Sequence, residues 1–220
     1  MGGSICLDWS VREISSDATL LILRQVSDGG VHSHITHLYA LLETAKEAGV
    51  PECYIHFFGD GRDTAPRSSK KYAEELIEFC KKLEYGEIAT VVGRYYAMDR
   101  DKRWERVKIA VDGLVQGIGQ ETDNLLGLIE EKYKEDQTDE FLKPIICGGS
   151  RSRIQGTQRL DRYALLRLTV PVDGDTLFFF NYRSDRMREI VSIFGSIHEP
   201  IQVKVPSDLV STAALASRRD

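Results

Sequence analysis

The sequence is short of several things that would each name a class of protein. It has four cysteines in 220 residues, Cys6, Cys53, Cys80 and Cys147, and no C-x-x-C pair among them. A zinc ribbon or a dithiol redox motif is therefore unsupported, and reduced thiols in a cytosolic protein are the expected state. It has no apolar run long enough to span a bilayer. Its first 18 residues, MGGSICLDWSVREISSDA, place an aspartate in the short apolar stretch, so they do not form a secretory signal. Gly2 invites myristoylation, but position 6 is Cys where that motif takes Ser or Thr. Positive charge is not in excess: the formal net charge is −5, which gives no reason to expect nucleic acid or an anionic membrane as a partner. Neither G-x-G-x-x-G nor the P-loop pattern occurs, so no nucleotide cradle is indicated. No internal repeat is visible.

What remains is an ordinary globular composition, 42% hydrophobic and 29% charged, in a chain long enough for one sizeable α/β domain. Strand-like and helix-like segments alternate. Thr19 to Leu23, Cys53 to Phe58, Ile88 to Val92, Pro144 to Cys147 and Leu177 to Phe180 are short apolar runs. Between and after them, apolar residues recur at helical spacing, as in Leu38, Leu41, Leu42 and Ala45, or Trp104, Val107, Val111 and Leu114. Similar stripes run through Ala73 to Leu83, Leu125 to Tyr133 and Met187 to Phe194. Continuous apolar strands alternating with helices predict an α/β fold, a mainly parallel sheet of about five strands with helices on both faces. The folded domain is expected over 19–206. Residues 1–18 are atypical and 207–220 read as a disordered tail.

In an open parallel sheet, ligands bind beyond the carboxyl ends of the strands. The loops there are SDGGVHSH (27–34), GDGRDTAP (59–66), GRYYAMDRDKR (93–103) and NYRSDR (181–186). Together they supply His32, Arg62, Asp63, Arg94, Arg100, Arg183 and Arg186. Five arginines on one edge repel one another unless an anion sits between them, and guanidinium forks suit carboxylate and phosphate. Asp63, read as the single carboxylate of the set, would stay ionised and could exchange a proton with a ligand hydroxyl. His32 could donate to a phosphate oxygen. The pattern implies a small anion with two negative groups and at least one hydroxyl.

Each residue also has a plainer reading. A lone arginine in a loop is more often solvated surface. His34 and His37 fit a helix start, and His56 fits a core or edge position. Tyr95 and Tyr96 could close the strand end. Asp99, Asp101, Lys102 and Arg103 suit capping and surface pairing at the next helix. Repetition of the same chemistry in four loops favours a site.

The runs SDGGVHSHITHLYALLETAKEAGV, HFFGDGRDTAP, TVVGRYYAMDRDKRWERV, TDEFLKPII and DTLFFFNYRSDRMREI resemble, in order, the substrate-binding (transferase) domain of cofactor-independent phosphoglycerate mutases. The resemblance covers about Ser27 to Gly195. It implies a monomeric, cytosolic, glycolytic enzyme interconverting 3-phosphoglycerate and 2-phosphoglycerate. A second domain, related to alkaline phosphatase, would carry a nucleophilic serine and two manganese ions. By motif position His32, Arg62, Asp63, Arg94, Arg100, Arg183 and Arg186 are similar to the family's substrate-binding set. Asp63 corresponds to the residue that moves protons at the glycerate hydroxyls, and Arg183 and Arg186 to the pair facing the phosphate.

Two departures go with the resemblance. No segment matches the phosphatase domain, and His198 is the one histidine after His56. The metal ligands are expected to be absent and the chain inactive alone, with a non-catalytic module binding phosphorylated hydroxy-acids, or a truncated gene product, as the alternatives. Residues 156–172 interrupt a connection that the family makes directly, and read as an insertion.

Overall fold

The structure, a computed structural model, describes residues 19–147 and 176–195. The expectations for 1–18, the 156–172 insertion and the 207–220 tail lie outside the described residues. The elements follow the order β1 (Thr19–Gln25), α1 (Ile35–Glu47), β2 (Glu52–Gly59), α2 (Ser69–Leu83), β3 (Glu87–Gly93), α3 (Arg94–Ala97), α4 (Trp104–Gln116), β4 (Gln120–Thr122), α5 (Leu125–Lys134), β5 (Ile145–Cys147), β6 (Thr176–Phe179) and α6 (Arg188–Gly195). A single 3-10 turn, Asp139–Phe141, precedes β5.

The six strands form one sheet in the order β4-β5-β3-β2-β1-β6. The pairs β3–β2, β2–β1 and β1–β6 are parallel. β5 runs antiparallel to β3, through Val91 opposite Ile145 and Thr90 opposite Ile146, and β4 lies parallel to β5 on the edge. The sheet thus has the five strands expected from the apolar runs and a sixth, β4, whose three residues are polar and mostly exposed.

Alternation along the strands sends side chains to two separate cores. Leu20, Ile22, Ile55, Phe57 and Val91 pack with α1, α2 and α5 on one face. Leu21, Leu23, Phe58, Val92 and Ala89 pack with α3, α4 and α6 on the other. Both faces are covered, which is why the strands read as unbroken apolar runs. The long helices are amphipathic and end on the expected signals. Gly117 closes α4 with φ +68, where a side chain would be strained.

α2 begins in an unusual way. Ser68 supplies no side-chain cap. Instead the buried Asp139 carboxylate, brought in by the 3-10 turn, accepts from the backbone N–H of Ser68 (2.7 Å) and Ser69 (2.8 Å) and from the Tyr133 hydroxyl (2.5 Å). The turn sits on the ends of β2 and β3 so closely that a Cβ at Gly93 would lie 2.3 Å from the Glu140 carbonyl oxygen. One at Gly59 would lie 2.8 Å from that of Asp139. His56, within β2, is buried against Thr90 through a 2.9 Å hydrogen bond. Burial raises the thiol pKa of Cys53 and of Cys80, the latter to about 12, so these are inert core residues. Among the described residues no helix is long and apolar enough to cross a membrane.

Candidate functional site

Because β1, β2, β3 and β6 are mutually parallel, the loops that follow them emerge on one edge of the sheet. Each loop is fixed by short-range bonds before it presents a charge. In 27–34, the Ser27 hydroxyl donates to Asp60 Oδ2 at 2.7 Å, and Ser33 Oγ donates to the Gln25 carbonyl. The 181–186 loop is tied to the 27–34 loop where Tyr182 N–H donates to the His32 carbonyl at 2.7 Å. Asn181 Oδ1 accepts from Gln25 N–H at 3.2 Å.

Asp60 organises the second loop. Its Oδ1 accepts from the backbone N–H of Arg62 and Asp63 at 3.2 and 2.9 Å, an Asx-type turn. The same oxygen takes Arg94 Nη1 at 2.7 Å. Burial alone would raise its pKa, but the Asp63 N–H, Ser27 and Arg94 outweigh burial and hold it below the usual carboxylate range. Arg94, the first residue of α3, donates from the same Nη1 to Asp63 Oδ2 at 2.6 Å. Sequence reasoning does not single out Asp60; its burial and its role beneath the site come from packing.

The other arginines are placed as follows. Arg62, largely exposed, lies 3.7 Å from Glu140. Arg100 and Arg183 both donate to Asp185 Oδ2, at 3.1 and 2.9 Å. Arg186 donates to the Met98 carbonyl at 3.1 Å and has no carboxylate partner among the described residues. Burial first, then the charges of Arg94, Arg100 and Arg62, lower its pKa, and the Asp185 carboxylate opposes them. His32 is buried, and burial followed by the Arg94 charge pushes it below the ordinary imidazole range, with Asp63 and Asp185 pulling it back. It is therefore neutral near pH 7, able to donate from one ring nitrogen and accept at the other. The seven residues expected from the loops thus come together, linked by direct contact or by mutual field.

One expectation is corrected. Asp63 is not the single carboxylate among the arginines, since Asp60, Asp185 and Glu140 also reach them. Acidic residues in loops read as turn formers, which is why the sequence did not show this. Among the described residues, three buried polar atoms of the cluster have no hydrogen-bond partner: His32 Nδ1, Arg94 Nε and Asp185 Oδ1. The His32 nitrogen is suited to a ligand oxygen, whereas Arg94 is engaged by Asp60 and Asp63. For manganese the fit is poor. Among the described residues no three His, Cys, Asp or Glu side chains are placed to hold a metal ion.

Comparison with known proteins shows the family of the chain. The chain is 50% identical over 186 residues to a 2,3-bisphosphoglycerate-independent phosphoglycerate mutase of Onchocerca volvulus, an alignment covering 84% of this chain and 33% of that protein. The corresponding figures for the enzyme of the same name from Brugia malayi are 48%, 84% and 33%. A Clostridium tetani relative of that name is 44% identical over 177 residues, 80% of this chain and 32% of its own. The chain therefore spans about a third of the length of the curated relatives it matches. The fold is similar to that of Leishmania mexicana phosphoglycerate mutase, crystallised at low cobalt concentration, with a TM-score of 0.72 and 27% identity over 88% of this chain and 35% of that one. The family model described as BPG-independent PGAM N-terminus matches residues 7–215. With a match of that extent and relatives this similar, the chain belongs to the BPG-independent phosphoglycerate mutase N-terminal family.

Proposed function

We propose that this chain is the part of a phosphoglycerate mutase that holds the glycerate and its phosphate during interconversion of 3-phosphoglycerate and 2-phosphoglycerate, a step of glycolysis. The observation that carries the reading is Arg186. Its pKa is lowered first by burial and then by the charges of Arg94, Arg100 and Arg62, with the Asp185 carboxylate acting the other way, and its guanidinium makes no ion pair among the described residues, donating instead to the Met98 carbonyl at 3.1 Å. A like-charge cluster of that kind is stabilised by an anion from outside the chain.

The roles follow from position. Arg100, Arg183 and Arg186 would clamp the ligand's negative groups in bidentate fashion. Neutral His32 would donate to a phosphate oxygen. Asp63, in contact with Arg94, would accept a hydroxyl proton of the glycerate and return it, while Arg94 and Asp60 hold it in place. The relatives' remaining two-thirds would supply the chemistry of phosphoryl transfer. The protein is expected to work in the cytoplasm as a monomer.

The test is calorimetric titration of the chain with 3-phosphoglycerate. Binding at millimolar affinity or better, a free energy of about −4 kcal/mol or more favourable, is expected, with a loss of tenfold or more in Arg186→Ala. No heat at high ligand in the folded wild-type chain would refute the reading.

A further inference from the structure

One carboxylate in this cluster does what a ligand would do. Asp185 Oδ2 accepts from Arg183, two residues earlier in its own loop, and from Arg100 of the loop beyond β3. In the sheet β3 and β6 are separated by β2 and β1. The bridge therefore reaches past the two loops that carry His32 and Asp63. Both arginines give a single N–H to it and are about half exposed, with side chains 45% and 50% accessible. Ion pairs so open to water contribute little to stability.

The bridge is also incomplete. Asp185 Oδ1 is buried and has no donor among the described residues, an arrangement that disfavours the state in which it occurs. Although burial works the other way, the Arg100 bond and the Arg183 charge keep the carboxyl below its usual range, so it stays ionised while it holds them. An incoming anion meets a negative group already seated between two of the site's guanidiniums.

We propose that Asp185 is a built-in competitor for the ligand's anionic group, holding Arg100 and Arg183 until phosphate or carboxylate takes its place. It rests on the anion-site reading above. Asp185 sets affinity by exchange: the two guanidiniums turn from the internal carboxylate to the ligand, and Asp185 returns to them on release. It is a positioning residue that weakens binding and speeds release, opposite in sign to a residue that merely props the arginines in place.

Titration of the wild-type chain, Asp185→Asn and Asp185→Ser with inorganic phosphate and with 3-phosphoglycerate separates the possibilities. Removing the charge is expected to tighten binding of both probes about fivefold, the size fitting two half-exposed ion pairs that no longer compete. Equal or weaker binding in a folded variant overturns the proposal and leaves the site reading standing. No binding by the wild type, with circular dichroism showing a folded chain, removes the site reading itself. Failure of both variants to fold would also overturn it, because a bridge that a ligand opens cannot be what holds the chain together.

Discussion

Arg94 Nη1 and Asp60 Oδ1 meet at 2.7 Å with side chains only 2% and 1% exposed. The same guanidinium nitrogen reaches Asp63 at 2.6 Å. One cation thus stands between two carboxylates, one wholly buried and one at the rim. Truncation of Arg94 leaves Asp60 ionised and without its countercharge in a dry environment. Arg94→Ala is therefore expected to lower stability by about 3–5 kcal/mol, read as a fall in the urea midpoint. Loss of ligand binding in that variant would report unfolding rather than a ligand contact, which is why Arg186 is the better probe of the site. Stability within 1 kcal/mol of wild type, on the scale of an exposed pair, would contradict the buried geometry.

The carboxylate of Asp139 does the capping that Ser68 does not. Replacing it by Ala removes the acceptor for the N–H groups of the N-cap Ser68 and of Ser69, the first residue of α2, and for the Tyr133 hydroxyl. A loss of about 2 kcal/mol is expected. The matching local signal is faster amide exchange at Ser68 and Ser69. Unchanged exchange there would mean the helix start is held by something else.

Glu189 supplies a pH dependence. Its Oε1 accepts from Lys102 N–H at 2.9 Å, and Asp99 and Asp101 lie close by on the loop that carries Arg100. Burial, and then Asp99, raise its pKa from 4.5 to about 7. A raised carboxyl favours the folded state while it is protonated. Its contribution is complete below the unfolded value and is lost as pH rises through about 7. Glu189→Gln is expected to flatten the part of the stability profile between those two values. Denaturation at pH 5 and pH 8 for both proteins checks it, and parallel profiles would refute it. His32 and His56, whose pKa values are lowered by burial, titrate in both proteins and cancel in the comparison.

Turnover is expected to be absent in the isolated chain. With manganese added, 3-phosphoglycerate conversion should remain at background, because the chain spans about a third of the relatives' length. A coupled assay decides this, and activity above background would show that the transfer chemistry lies within these 220 residues.

The parts of the fold that were legible in sequence are those with a strong local cause. β1, β2 and β3 are buried on both sides and are therefore mostly apolar, with His56 paired to Thr90 as an exception. β4 has three polar edge residues and no such pattern. β5 was legible as a strand but not in its direction, since an apolar run carries no polarity along the chain. α3 is a single turn whose place follows from Gly93 and from the ion pairs of Arg94, both consequences of packing. In the site, the arginines could be found because parallel strands gather their loops. The acids that oppose them, Asp60, Asp185 and Glu140, acquire their roles only when distant loops meet.

The seat of the 3-10 turn has a consequence for how this protein can vary. Gly59 and Gly93 end two different strands and Gly61 lies in the loop after the first, yet all three face the backbone or Cβ of Asp139 and Glu140 at less than 3 Å from where a Cβ would stand. No single one can acquire a methyl group by itself without moving the turn, and moving the turn withdraws the cap from α2. A combinatorial library randomised at 59, 61 and 93 should return glycine at all three, and escape from that outcome should require a simultaneous change in residues 138–141.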